Sequence, residues 1–511
     1  MKTSWIKKLS YVLILVLLSI ISNGQYAIFF AIWIFTAMQL FAFRKLPRWK
    51  GLLLTFMVIA TGYYTGTDVA PFLPLYMAII ITVIFSLLTT LPYLIDSFFP
   101  KHRSSFLSTF IFPTTAVLIE YAYHQVDPFG SWWHVAYTQH SQMLLLQSVS
   151  VFGMGYITFL IAWFASVCNW VFEYRNAWGM IRRGVCIYAF VLGLTLIYGG
   201  YRVQFQRPDS KTIRVASVSA LDSLRIFIDV QGLKNSETSN QVKMETRRKS
   251  SALNQDLFKR SIAEAAAGAK IVLWAEGSSI ILKEDENGLY AQAGQIASKQ
   301  NIYLGLGVAV VDPTNSKYLE NKFVLFDPTG NKVMDYWKGI SVPGAEAPIS
   351  NNKITGIQKV ETAYGTIAGA ICFDLDFPQY LKQAKGADIL LAPSNDYMEI
   401  EQLHSNMAKF RALEQGFNLI RQTGSGLSTG VDYTGKILSE MSDFKTKSKV
   451  LITQLPMKGT KTIYSMIGDS FIVFCVFLLM FVIVKIKIPS HKLQWLSKVS
   501  REVDTGNCQN P

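Results

Sequence analysis

The sequence predicts a polytopic α-helical membrane bundle of about eight spans joined to an extramembrane α/β layered domain. Three observations carry this. Half of the 511 residues are hydrophobic and only 16% are charged, too apolar for a soluble protein, and the excess lies at the two ends. Basic residues recur in every second gap between the apolar runs, as in a chain that crosses a membrane repeatedly. The middle alternates short runs rich in Val, Ile and Leu with helix-like stretches, the pattern of a sheet covered on both faces.

The apolar runs come first. Residues 1–8 are basic and precede a run at 11–22. No small-residue cleavage site follows, so this run reads as a retained anchor rather than a signal peptide. Further runs lie at 26–43, 51–64, 71–94, 106–123, 149–172 and 185–198, with one more at 471–484. Each approaches the length a helix needs to cross about 30 Å of hydrocarbon. Lys2, Lys7 and Lys8 precede the first run, and Arg44, Lys45, Arg48 and Lys50 separate the second from the third. Lys101 and Arg103 separate the fourth from the fifth, Arg175, Arg182 and Arg183 the sixth from the seventh, and Lys485, Lys487, Lys492 and Lys498 follow the last. The loops 23–25 and 65–69 carry no Lys or Arg. With eight spans all basic loops fall on one side, which the positive-inside rule makes cytoplasmic, and the middle region lies outside. The predicted division is a membrane domain at 1–203 with seven spans, an extramembrane α/β domain at 204–467, a last span at 468–490 and a cytoplasmic tail at 491–511.

The outer loop 125–147 carries Trp132, Trp133 and Tyr137, residues that favour the headgroup level. It reads as a loop lying along the membrane surface, with a second possibility that it walls an acyl-chain pocket. Glu120, near the outer end of the fifth run, is either an intramembrane functional carboxylate or an interfacial one that snorkels.

In the middle region, strands are predicted at 212–218, 271–274, 303–311, 322–326, 366–371, 388–392, 419–423 and 450–454. Helices are predicted at 239–267, 289–299, 378–384 and 400–415. The stretch GAICFDLDFPQY delivers Cys372 from a buried strand into a turn ended by Asp374, Asp376 and Pro378, where a thiol can be held rigidly with one open face. Of five cysteines it alone lies in the polar middle; Cys168, Cys186 and Cys475 fall in apolar runs and Cys508 in the tail. No CxxC or Cys/His spacing indicates a metal or a disulfide framework. The net charge of +14 is not gathered into a Lys/Arg stripe with aromatics, so nucleic acid is not an expected partner. His404, on a polar helix, reads as a surface histidine without a metal or triad role.

Two earlier stretches give Cys372 partners. IVLWAEGSS ends a buried strand in Glu276, and MDYWKGISVPGAEAP supplies Lys338 and Glu346. Glu, Lys and Cys in that order resemble the nitrilase superfamily. With the membrane runs, nearly the whole chain resembles the apolipoprotein N-acyltransferase family. WAEGSS is similar to that family's Trp-Pro-Glu segment, WKGISVPGAEAP to its Lys…Val-Pro-Phe-Gly-Glu, ICFDLDFP to its Ile-Cys-Tyr-Glu, and SNDYM to its Asn-Asp-Ala-Trp loop. MAKFRALEQG resembles its Met-Ala-Arg-Met-Arg-Ala-Leu-Glu stretch, and GSWWHVAYTQ the segment before its sixth span. The chain departs from the family at Ala275 for proline, at Asp374 for Glu and at Tyr397 for Trp, and nothing like Arg-His follows Lys338.

The resemblance implies a nitrilase-like αββα domain on the periplasmic side of a bacterial inner membrane. It implies catalytic Glu276, Lys338 and Cys372, with Glu346 and Asp374 in support and Trp132, Trp133, Tyr137, Asn395 and Tyr397 at the substrate mouth. It implies a phospholipid acyl donor, the diacylglyceryl-cysteine of an apolipoprotein as acceptor, and neither cofactor nor metal. Two other readings stay open: a membrane-anchored nitrilase-type amidase or acyltransferase with another acceptor, and a non-catalytic scaffold or transporter.

Overall fold

The computed structural model describes residues 2–67, 74–100, 104–206, 208, 211–235, 237–353 and 355–487. Lys101, Arg103, Lys492, Lys498, Cys508, the start of the run at 71–94 and the tail lie outside the described residues.

Every apolar run contains a helix. These are Lys2–Ile20, Ala31–Lys45, Arg48–Gly66, Leu75–Asp96, Ile111–His124, Gly155–Glu173, Trp178–Phe205 and Ser470–Lys487. Among the described residues, four segments are long and apolar enough to cross a membrane: Leu75–Asp96, Phe106–His124, Gly155–Glu173 and Trp178–Phe205. Ala31–Lys45, with 15 residues, spans only about 22 Å at 1.5 Å per residue. The long helices turn apolar side chains outward, among them Ile79, Ile80, Leu87, Phe190, Leu194 and Ile197. An exposed apolar belt of this extent suits lipid rather than water.

Two predicted boundaries shift. The run at 149–172 is broken at Gly153, which takes φ +73 between the helix Val149–Phe152 and the next. A Cβ there would stand 2.6 Å from the Tyr464 ring, so the break is fixed by packing. Arg182 and Arg183 belong to the first turns of Trp178–Phe205 rather than to a loop. Near the basic ends, Arg44 makes a bidentate pair with Asp96 at 2.9 and 2.7 Å, closing Ala31–Lys45 onto Leu75–Asp96.

The middle region holds two stacked sheets. The first has β1 (Thr212–Val218), β2 (Ile271–Trp274), β3 (Ser279–Leu282), β4 (Tyr303–Val311), β5 (Leu319–Phe326) and β6 (Lys332–Trp337). The second has β7 (Lys359–Thr362), β8 (Gly365–Gly369), β9 (Ile389–Asn395), β10 (Asn418–Gly424), β11 (Leu427–Val431) and β12 (Ile437–Ser442). A last strand, β13 (Val450–Pro456), returns to pair with β1. The orders are β13-β1-β2-β4-β5-β6, with β3 on β4, and β12-β11-β10-β9-β8-β7. Strands β3, β6, β7, β11 and β12 were not predicted. They are short or carry mixed polar residues, and they are recruited by neighbours rather than by their own apolar pattern.

Period-two alternation builds the layers. Leu273 and Val215 face the second sheet and pack with Ile367, Leu391 and Leu419. Val272 and Trp274 face the other way, onto Leu253, Leu257 and Phe258 of the helix Ser239–Ala266 and Leu289 of Glu286–Gln300. The helix Glu401–Gln415 covers the second sheet with Ala408 and Ala412, while its Met407, Phe410 and Leu413 enter the core of the membrane helices. One helix therefore belongs to both hydrophobic cores.

Candidate active site

Four loops at strand ends meet at Cys372. The strand β8 stops at Gly369, and Cys372 opens the 3₁₀ helix Cys372–Asp376 with φ +47, a left-handed conformation that costs a non-glycine residue about 1–2 kcal/mol. Asp374 fixes this turn. Its Oδ2 accepts from the Ile371 N–H at 3.0 Å and the Tyr336 hydroxyl at 2.6 Å, and its Oδ1 accepts from the Ile340 N–H at 2.8 Å. It thereby binds the Cys372 turn to the loop that follows Lys338. Burial lifts the Asp374 carboxyl to about 6, against the pull of these donors.

Lys338, directly after β6, is only 2% exposed. Its Nζ donates to Oε1 of Glu276 at 2.8 Å and lies 2.7 Å from Oε2 of Glu346. Glu276 also accepts from Nδ2 of Asn321 at 2.7 Å, and Glu346 from the Val342 N–H at 3.1 Å. Burial pulls the Lys338 pKa down, but the two carboxylates override it and hold the ammonium well above its ordinary range. Burial raises Glu276, with Lys338 opposing. The Cys372 thiol is pushed far up, first by burial and then by the Glu276 charge, with Lys338 countering. At rest the thiol therefore keeps its proton. The arrangement can pass that proton to a buried carboxylate and set a fixed ammonium beside developing negative charge.

The thiol points to the carbonyl of Asn395 at 3.6 Å and lines a cavity of about 80 Å³ with Phe129, Trp132, Trp133, Val342, Tyr397 and Ile400. The structure thus brings Trp132, Trp133, Asn395 and Tyr397 to the same cavity as Cys372. Tyr137 is not among the residues that line this cavity. It sits on the 3₁₀ helix Val135–Gln139, turned toward Glu401–Gln415, where its hydroxyl bonds Ser131 at 2.6 Å and its ring packs on Phe410. It lines a neighbouring cleft of about 380 Å³ with Asn23, Glu401 and Asn406, and Trp133 lines both.

The loop 125–147 is likewise not superficial: Trp132 and Tyr137 are buried, and the loop is packed between the two cores. Glu120 does not snorkel. It accepts from the Val135 N–H at 2.8 Å and Thr158 Oγ1 at 2.6 Å, fastening this loop to the membrane helices.

His404 is the largest departure from the sequence reading. It is buried, with Nε2 3.0 Å from Asp376 and Nδ1 2.8 Å from Asp396. Cys372, Asp396 and His404 are close enough together to suggest a cation site. Their donors do not suit one, because both ring nitrogens already face carboxylates and Asp396 is held by the Arg421 guanidinium at 2.8 and 2.9 Å. A polar helix gives no sign of this burial, since the groups that face the ring, Asp376, Asp396 and Arg421, come from other elements.

Residues 243–464 match the carbon-nitrogen hydrolase family. An apolipoprotein N-acyltransferase of Borreliella burgdorferi is 22% identical over 72% of this chain and 73% of its own length. One from Rhodopseudomonas palustris is 23% identical over 66% of each chain. Apolipoprotein N-acyltransferase 2 of Treponema denticola is 27% identical over 42% of this chain and 47% of its own length. A crystal structure of an amidase from Nesterenkonia sp. is 16% identical, covering 49% of this chain and 92% of that one with a TM-score of 0.39. Residues 243–464 thus resemble the carbon-nitrogen hydrolases, and the chain, with its helical N-terminal region, is similar to the apolipoprotein N-acyltransferases.

Proposed function

We propose that the protein moves an acyl chain from a phospholipid, through a thioester on Cys372, to the N-terminal amine of diacylglyceryl-cysteine in an apolipoprotein. The observation that carries this reading is the meeting of Cys372, on its left-handed turn, with the Glu276–Lys338–Glu346 cluster and an apolar cavity walled by Trp132 and Trp133. The names of the similar proteins support it.

In the first half, the Cys372 proton passes to Glu276 as Sγ attacks the ester carbonyl. Lys338 and a backbone N–H after Cys372 stabilise the oxyanion. Collapse breaks the ester C–O bond, and the leaving lysophospholipid oxygen takes the proton from Glu276. In the second half, the α-amine attacks the thioester, gives its proton to Glu276 and releases the thiolate, which is then reprotonated. Glu346 holds Lys338 or orients the amine, and Asp374 keeps the Cys372 turn in register. The apolar walls keep water from the thioester.

In this reading all eight apolar helices cross a bacterial inner membrane, 1–203 and 468–490 form the membrane part, and 204–467 works on the periplasmic side. Both substrates are lipids, which gives a membrane-embedded enzyme its purpose. The test is mass spectrometry of lipoprotein N-termini from cells with the intact protein, without it, and with Cys372→Ser. N-acylation is expected only with the intact protein. Unchanged N-acylation in the Cys372→Ser strain would sink the proposal.

A further inference from the structure

Asp376, four residues after Cys372, takes no part in the steps above, yet it is fully buried and completely engaged. Its Oδ2 accepts from Nε1 of Trp132 at 2.9 Å, and its backbone carbonyl accepts from the Ser131 N–H at 2.8 Å and hydroxyl at 2.7 Å. Its Oδ1 faces Nε2 of His404 at 3.0 Å. Across the ring, Nδ1 of His404 faces Asp396 and Nη2 of Arg421, each at 2.8 Å. Asp396 in turn follows Asn395, whose carbonyl accepts from the Cys372 thiol. Sγ of Cys372, a carboxylate oxygen of Asp396 and a ring nitrogen of His404 lie within 4.8 Å of one another.

A neutral ring would donate from Nε2 to Asp376 and accept at Nδ1 from Arg421, while a doubly protonated ring donates to both carboxylates. Two carboxylates against one guanidinium favour the doubly protonated ring. Two carboxylates, the Arg421 guanidinium and an imidazolium also sum to zero charge in a site closed to water, where an uncompensated charge is expensive. Burial lowers the ring's pKa and the Arg421 charge adds to this, but Asp376 and Asp396 more than reverse both, to about 9.

We infer that His404 is a positioning residue for the nucleophile: its imidazolium clamps the Cys372 turn, through Asp376, to the rim of the cavity, through Asp396, and Asp376 couples both to the Trp132 loop. The seating of that loop against the membrane helices thus bears on the reactivity of the thiol. This rests on reading Cys372 as the nucleophile.

The experiment is site-resolved alkylation of Cys372 by iodoacetamide in the full-length protein in lipid nanodiscs, followed by mass spectrometry from pH 7 to 10. Loss of the nearby positive charge raises the thiol pKa, so His404→Gln is expected to slow alkylation about tenfold near pH 8, the effect of a one-unit rise, and to move the pH profile upward. Trp132→Phe is expected to slow it less, and the double variant to match His404→Gln alone, since both act through Asp376. A role in stability alone would lower the unfolding temperature without moving the profile. Unmoved profiles, or single effects that simply multiply, would overturn the inference. If His404→Gln does not fold, Asp376→Asn replaces it; removing a negative charge there is expected to move the pH profile downward, and an unmoved profile would overturn the inference. Acylation of the parent protein by phospholipid is read in parallel. Its absence overturns the nucleophile reading, whereas the alkylation series decides the clamp.

Discussion

Lys338 is the residue on which the electrostatics of the site turn. One ammonium serves two buried carboxylates, so removing it leaves Glu276 and Glu346 facing each other. Lys338→Met is therefore expected to lower the unfolding free energy by roughly 3–5 kcal/mol. It should also abolish the hydroxylamine-labile acyl adduct on Cys372, measured by intact mass after exposure to phospholipid. Glu346→Gln keeps the ammonium paired with Glu276. Its acyl adduct is expected to form and accumulate, because transfer to the amine slows; loss of adduct formation would place Glu346 in the first half-reaction instead. His404 adds a pH dependence. Its folded pKa of about 9 lies above the free value of 6.5, so folding takes up a proton. The stabilisation is full below pH 6.5 and is lost as pH rises through 9, with a size on the order of 3 kcal/mol. Between pH 6.5 and 9.5 the unfolding midpoint of the parent should fall more steeply than that of His404→Gln.

At the scale of elements, the loop 125–147 is held at both ends of its central turn. Glu120 fastens it to the apolar helices, and Asp376 fastens it to the Cys372 turn. Gly130 allows the second contact. It has φ +65, and a Cβ there would stand 2.5 Å from the Asp376 carbonyl oxygen. Gly130→Ala is expected to destabilise the fold by about 1–2 kcal/mol from the backbone conformation alone. Because the added methyl pushes against Asp376, it should also slow acylation of Cys372 in single-turnover assays. An unchanged rate would show that the turn holds its shape without the loop.

At the scale of the molecule, the membrane helices and the layered domain share a core. Phe373, Ile400, Met407, Phe410 and Leu413 pack with residues of the N-terminal helical region such as Phe129, Trp132 and Leu146. A fragment of residues 204–467 would expose this surface, so it is expected to aggregate when expressed alone, judged by its partition into the insoluble fraction. The proposed topology makes a second prediction. A single cysteine placed at Lys243 should react with a membrane-impermeant maleimide in spheroplasts; protection there, with labelling only after lysis, would place the domain on the cytoplasmic side.

The sequence by itself determined the local elements. The predicted strands at 212–218, 271–274 and 303–311 coincide with β1, β2 and β4, because buried strands announce themselves as unbroken β-branched and leucine-rich runs. The Glu, Lys and Cys stretches were legible because each follows such a run or its turn signals. Tertiary structure decided what distant parts cover. The helix Glu401–Gln415 is polar enough to look solvated, yet residues 404–415 are buried between the second sheet and the membrane helices. Hydrophobic periodicity reports which face of a helix prefers an apolar neighbour; it cannot report the strand-end loops and the strand that supply carboxylates and a guanidinium to a buried histidine. For the same reason Tyr137 looked like a partner of Trp132 in the sequence, while in the fold a turn of 3₁₀ helix sends it to a different cleft.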